Sequence, residues 1–249
     1  MPRSRYAELP STDRRPNSRK PSVVLLSALL LSLSLPVQGI DLDSLEFSHG
    51  ISIFCDLKYP ADYTHFEYLN PDAPKGGDVV LSHPFSFDSL APQPLGESGA
   101  PTGYHLQNDP LVVRGGDELA AYYGRLAEGI AISDDKRTLV FKIHEHAKWD
   151  DGEPITAHDV VFTFDPPGND DSVQSFFDVF ETVTALDDRH VAFFLDAPLN
   201  YDHITSIQYR PIIPEHYWRD RDPTAATMVP PVTSGPYRVA EVKAGRHIV

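Results

Sequence analysis

Between residues 138 and 145 (TLVFKIHE) Leu139, Phe141 and Ile143 recur two positions apart, a spacing that predicts a half-buried strand. Downstream, Thr156-Ala157-His158-Asp159 fits a helix-start box. Thr156 is placed as N-cap, with the Asp159 carboxylate reaching back to its amide. Val160, Val161, Phe162 and Phe164 supply the helix's apolar positions, and Pro166-Pro167 ends it. Val183–Leu186 and His190–Leu195 flank Asp187-Asp188-Arg189, a strand–turn–strand pattern. Lys75-Gly76-Gly77 turns the chain into Asp78–Ser82, which has the composition of a short strand. Glu118–Glu128 (ELAAYYGRLAE) is read as a helix, interrupted by Gly124. Pro214 opens a short helix, and Tyr237–Val242 forms a last strand before a hairpin. Ile40–Pro74, rich in aromatics and prolines, shows no helical period and reads as an ordered segment wrapping a surface. The body is mixed α and β, without internal repeats.

The first forty residues follow another logic. Arg3, Arg5, Arg14, Arg15, Arg19 and Lys20 precede an apolar run from Val23 to Leu35, broken after it by Pro36. A basic head, a short apolar stretch and a small-residue neck make a secretory signal over residues 1–39, so the chain reads as exported. Spanning a bilayer would take about twenty residues. Pro16-Asn17 after Arg14-Arg15 favours the general secretory route over the twin-arginine one. Of 249 residues, 21 are Lys or Arg and 36 Asp or Glu, a net charge of -15. Without residues 1–39, 15 basic and 34 acidic residues remain, a net of -19. Such acidity argues against nucleic-acid partners, which are polyanions. The single cysteine, Cys55, rules out an internal disulfide framework and a Cys-rich zinc site.

Catalytic signatures are lacking. There is no Gly-x-Ser-x-Gly, no phosphate-binding glycine loop and no His-Glu-x-x-His, so no catalytic residue and no cofactor is assigned. His144 and His146 are the best metal candidates, but two ligands do not make a site, and no metal is assigned. Asp150-Asp151 and Asp187-Asp188 read as turn residues that cap local amides rather than as acid/base pairs. An exported, aromatic-rich chain without catalytic machinery suits a binding protein.

Several segments resemble the periplasmic solute-binding proteins of peptide-type ABC importers, the oligopeptide/dipeptide-binding family. They are Leu126–Glu128, Asp134–Ile143 and Ala147–Phe164 (AKWDDGEPITAHDVVFTF), followed by Ser234-Gly235-Pro236-Tyr237-Arg238-Val239. His49-Gly50-Ile51, Lys58-Tyr59-Pro60, His65-Phe66 and Asn70–Gly77 (NPDAPKGG) resemble its Yej-like subgroup. The resemblance implies an α/β (mixed α+β) fold with periplasmic-binding-protein-like two-lobe architecture, of which this chain carries the N-terminal part only. Residues 40–82 are then the first segment of the N-terminal lobe, 83–200 an inserted α+β subdomain, and 201–249 the return segment. The C-terminal lobe is missing, so the sequence reads as truncated.

By the same resemblance, the protein captures short peptides between its lobes and delivers them to inner-membrane ABC permease subunits, as a monomer and not an enzyme. The segment after the first strand faces the ligand in such proteins, which nominates Phe85, Phe87, Asp88, Ser89 and Gly96. Trp149, Tyr209 and Trp218 are read as core instead. Two other readings stand beside this one. The first is a metal- or metal-chelate-binding member of the superfamily using His144 and His146. The second is a nonfunctional fragment.

Overall fold

The structure, a computed structural model, describes residues 40–82, 86–91, 106–164, 179–223 and 225–249. The expected signal segment, residues 1–39, lies outside them. Three antiparallel sheets are formed. The first contains β1 (Gly50–Ser52), β2 (Val112–Arg114) and β3 (Ala121–Gly124) in the order β1-β3-β2. The second contains β4 (Ala127–Ile132), β5 (Thr138–Ile143), β6 (Phe180–Ala185) and β7 (His190–Leu195) in the order β4-β5-β7-β6. A terminal hairpin pairs β8 (Val242–Lys243) with β9 (His247–Ile248). The helices are α1 (Ala157–Phe164), α2 (Tyr201–Gln208) and α3 (Glu215–Trp218), with a 3-10 turn at Leu42–Ser44.

The alternation in 138–145 does give a strand, β5, but a more deeply buried one than expected. Leu139, Val140, Phe141 and Ile143 are all within 2 % of full burial, because both faces of the strand are covered. β5 and β7 are the inner strands of the second sheet, which is why β7 is equally apolar, with Val191, Ala192, Phe193 and Leu195 buried. α1 packs across β6 and β7. There Phe164 meets Phe193 edge-on at 4.9 Å and Phe193 meets Phe141 edge-on at 5.4 Å. Each large side chain so buried contributes roughly 1.5–3 kcal/mol. The carboxylate half of the helix-start box is present: Asp159 Oδ2 accepts from the Thr156 amide at 2.8 Å, while the Thr156 hydroxyl donates to the same oxygen at 3.2 Å. At the other end, the buried Arg210 guanidinium donates twice to the Thr163 carbonyl, at 2.9 and 3.2 Å. A cation there also complements the helix dipole.

Glu118–Glu128 is not a helix. Its residues form β3 and β4, and Tyr122 and Tyr123 are fully buried on opposite faces. The helical composition is overridden by a tight reversal at Gly124, where a Cβ would lie 2.1 Å from the Ala127 carbonyl oxygen. Only glycine permits that approach. Asp78–Ser82 is no strand either: Val79, Val80 and Leu81 are 80, 94 and 61 % exposed and have no ladder partner among the described residues. The last strand begins later than expected, at Val242, and its partner β9 completes the anticipated hairpin. Helix α2 was not anticipated. Asn200 caps it by accepting from the Asp202 and His203 amides, and His203 Nδ1 accepts from the Asn200 amide in return.

Residues 48–52 connect the two larger sheets. Ser48 exchanges both backbone bonds with Ile130 of β4, at 2.8 and 2.9 Å, while Gly50–Ser52 pair with β3. This pairing crosses residue 83, the boundary expected between the first segment and the insert. The following segment folds over β3 as an aromatic cluster, with Tyr59, Tyr63 and Phe66 each 5.3–5.6 Å from the Tyr123 ring. Polar groups tie it down. Tyr59 Oη donates to Asp117 at 2.7 Å, Tyr123 Oη donates to Glu118 at 2.6 Å, and the Lys58 amide donates to Glu118 at 2.8 Å. Lys58 Nζ bridges Asp117 and Glu67 at 2.6 and 2.7 Å.

Burial, and then Glu118, pushes the Tyr123 phenol up to about 12. Burial also raises Tyr59, Tyr63 and Tyr122. A raised folded-state value means that the neutral phenols stabilise the fold fully below their ordinary value of 10.0. That contribution is lost as the pH climbs through about 12 for Tyr123. Alkaline titration of tyrosinate absorbance should therefore show ionisation continuing to about pH 12. Tyr123→Phe should remove the latest step.

Candidate ligand-binding face

Of the five residues nominated from the sequence, Phe85 and Gly96 lie outside the described residues. Phe87 is half-buried, Asp88 is exposed, and Ser89 is 1 % exposed. The three occupy a short segment without regular secondary structure, residues 86–91, held from two directions. On one side, the Gly245 amide in the β8–β9 turn donates to the Phe87 carbonyl at 3.1 Å. On the other, the Leu90 amide donates to the Thr227 carbonyl at 2.6 Å. Leu90 and Ala91 anchor the end of the segment at 1 and 0 % exposure.

Ser89 works inward. Its hydroxyl oxygen accepts from the Ala91 amide at 2.9 Å and from the Thr227 amide at 3.1 Å, which occupies both lone pairs. The side chain thus sets the shape of the segment, and the surface it presents is that of Asp88 and Phe87. The carboxylate of Asp88 can accept from a cationic or amide donor, and the Phe87 ring offers a partly open apolar face.

Beside this segment lies a half-open cavity of about 410 Å³, and Thr227 belongs to its wall. Trp218 supplies a buried side of it, packed from behind by Phe162 and Ile213. Tyr217, Arg221 and Val229 supply the rest of its distinctive chemistry. Residue-level sequence reading did not find this cavity. The Tyr217-Trp218 pair after Pro214 was the available signal, but burial of Trp218 at 3 % on one side and cavity lining on the other look alike in sequence.

The motif Asp150-Asp151-Gly152 fastens the region from below. Asp150 accepts from the Thr233 amide at 3.1 Å and pairs with Arg238 at 3.2 Å. Asp151 closes its own turn by accepting from the Glu153 amide at 3.1 Å, and meets His216 of α3 at 2.8 Å. Burial would raise its carboxyl, but the bonds from His216 and Glu153 outweigh burial and hold it below its ordinary value. Asp159 behaves oppositely: burial raises it, against amide donation from Thr156 and Glu215. Asp187 likewise serves a turn, accepting from the Arg189 and His190 amides at 2.7 Å each. Gly235 passes so close to residues 106–107 that a Cβ would lie 2.4 Å from the Leu106 carbonyl oxygen, and its amide donates to Gln107.

Trp149 and Trp218 are core, at 2 and 3 % exposure. Tyr209 is not: it is 74 % exposed, because its backbone serves as the C-cap of α2 and its ring turns to solvent. His144 and His146 fall just past the end of β5 in an exposed turn, with ring centres 5.5 Å apart. His144 Nδ1 accepts from the His146 amide at 3.1 Å. No group of three metal-ligating side chains is assembled among the described residues.

Residues 121–249 match the family described as "Bacterial extracellular solute-binding proteins, family 5 Middle". The chain belongs to this family, a class of solute-binding proteins whose members act outside the cytoplasm. A Sinorhizobium fredii protein, y4wM, is 37 % identical over 207 residues, covering 79 % of this chain and 31 % of its own. From Agrobacterium fabrum, "Probable peptide-binding protein YejA" is 33 % identical over 230 residues, covering 89 % of this chain and 37 % of its own. The crystal structure of the oligopeptide-binding protein AppA from Bacillus subtilis, in complex with a nonapeptide, superposes with a TM-score of 0.54 at 25 % identity. It covers 68 % of this chain and 34 % of that one. The chain thus spans about a third of the length of the relatives it matches.

Ser89→Ala removes the acceptor of two backbone amides, at a cost of about 1–3 kcal/mol. Hydrogen exchange should accelerate at Ala91 and Thr227 and stay unchanged in β5. Equal protection in the variant would show that the hydroxyl does not shape the segment.

Proposed function

We propose that the chain forms the first-lobe side of a peptide-binding cleft, in a periplasmic protein that delivers short peptides to an ABC permease. The observation that carries this reading is the segment 86–91, which presents Asp88 and Phe87 from a backbone hydrogen-bonded to Thr227 and Gly245. An exposed carboxylate and a half-buried ring suit an extended peptide, whose amides vary little and whose side chains vary widely. A nonapeptide-bound AppA and a relative named for peptide binding support the ligand class. Residues 1–39 serve as the secretory signal, 40–82 and 201–249 as two passes of one lobe, and 83–200 as the subdomain between them. Phe85 and Gly96 extend the same ligand-facing segment. The remaining charge of -19 steers cationic peptides toward the face. The protein works as a monomer, without catalysis.

Calorimetry and thermal unfolding with a library of short peptides test this reading. Binding at a hundred times the dissociation constant should stabilise the protein by about 2.7 kcal/mol, and the peptides should be recovered intact. Absence of heat and an unmoved midpoint, in a protein that unfolds cooperatively, would overturn it.

A further inference from the structure

His203 is a titratable side chain buried at 1 % exposure, and its two ring nitrogens have different partners. Nδ1 lies 3.1 Å from the Asn200 amide, and Nε2 lies 2.9 Å from Asp196 Oδ1. A backbone amide can only donate, so Nδ1 must be bare. The ring proton then sits on Nε2 and points at Asp196. The cap of α2 thereby selects one neutral tautomer. Gln, a usual residue at this third position, accepts through an oxygen that carries no proton at ordinary pH, whereas an imidazole nitrogen can gain one. An imidazolium has two N–H donors and no acceptor, so no orientation of the ring can then hold the Asn200 amide.

The groups around the ring do not replace that bond. Asp196, on the β7–α2 connection, already holds the Nε2 proton, and its side chain is 52 % exposed, so the added attraction of an imidazolium is screened by solvent. Arg137, which precedes β5, donates to the Asp196 carbonyl at 3.2 Å and not to its carboxylate. Asp202, in the first turn of α2, is exposed, and β6 presents the uncharged Phe180 ring, 6.1 Å from the imidazole. We propose that His203 is an acid-sensitive latch: neutral, it closes the N-terminus of α2, and protonated, it releases the Asn200 amide and loosens that turn. The helix so released carries Ile204 and Ile207 into the main core and meets the Tyr122 hydroxyl through Thr205 at 3.2 Å. It also leads through Tyr209 and Arg210 to α3, whose Trp218 walls the cavity. In a family of extracellular proteins, the pH that reaches this ring is that of the surroundings. The latch stands independently of peptide binding.

Ring-nitrogen NMR of the full chain reports the state of His203, and amide hydrogen exchange, corrected for its intrinsic pH dependence, reports the cap. At about pH 8 the ring should show a bare Nδ1 and a protonated Nε2. Between about pH 8 and pH 5, where imidazole titrates, it should gain its second proton. With the same midpoint, protection of the Asn200 amide should fall about tenfold, the loss of one hydrogen bond, while β5 stays unchanged. His203→Gln should keep that protection level across the range. A ring that stays neutral to about pH 5, protonation without loss of protection, or two different midpoints overturns the proposal whether or not the variant folds. An H203Q chain that loses protection over the same range overturns it as well, because another group would then be the sensor.

Discussion

Everything in this structure turns on the reversal between Gly124 and Ala127. Within two residues the chain leaves the first sheet as β3 and joins the second as β4, and the Ala127 carbonyl sits where any other residue at 124 would place its Cβ. Because β3 is the middle strand of its sheet, this single turn fixes the relation of β1 and β2 to the larger core. The link from Ser48 to Ile130 then closes the corner from the other side, so that both sheets share one continuous apolar interior.

The face offered to a ligand is downstream of that corner. Residues 106–111 are held by Gly235 and by the chain leading into β4, which brings the 227–238 region beside the Asp150 turn. Thr227 then reaches Ser89. The result is a site whose residues come from distant parts of the chain and whose backbone is tied at Phe87, Leu90 and Ala91. Such a surface is positioned before a ligand arrives and spends little ordering entropy on binding.

The elements legible in the sequence were those whose signal is local. The hairpin β6–β7 around Asp187-Asp188-Arg189 and the start of α1 at Thr156 are set by side chains bonding to nearby amides. The misread segments are decided at long range. Glu118–Glu128 has helix-forming composition, but Tyr122 and Tyr123 gain more by burial on two faces of a sheet whose other strands lie elsewhere in sequence. Helix α2 hid because its cap is unusual: a histidine at the third position takes the part usually played by Glu or Gln. At the site, the inward hydrogen bonds of Ser89 could be seen only once Thr227 was known to be adjacent.

The same corner has a kinetic side. The second sheet is assembled from neighbours in sequence apart from β5–β7, and its hairpins can close early. The partners Gly50 and Tyr123 are separated by most of the first half of the chain, so β1 can dock only after a large loop has closed. The aromatic segment 57–68, stacked on Tyr123, must wait for the same event. Formation of the first sheet is therefore the topologically costlier stage of folding.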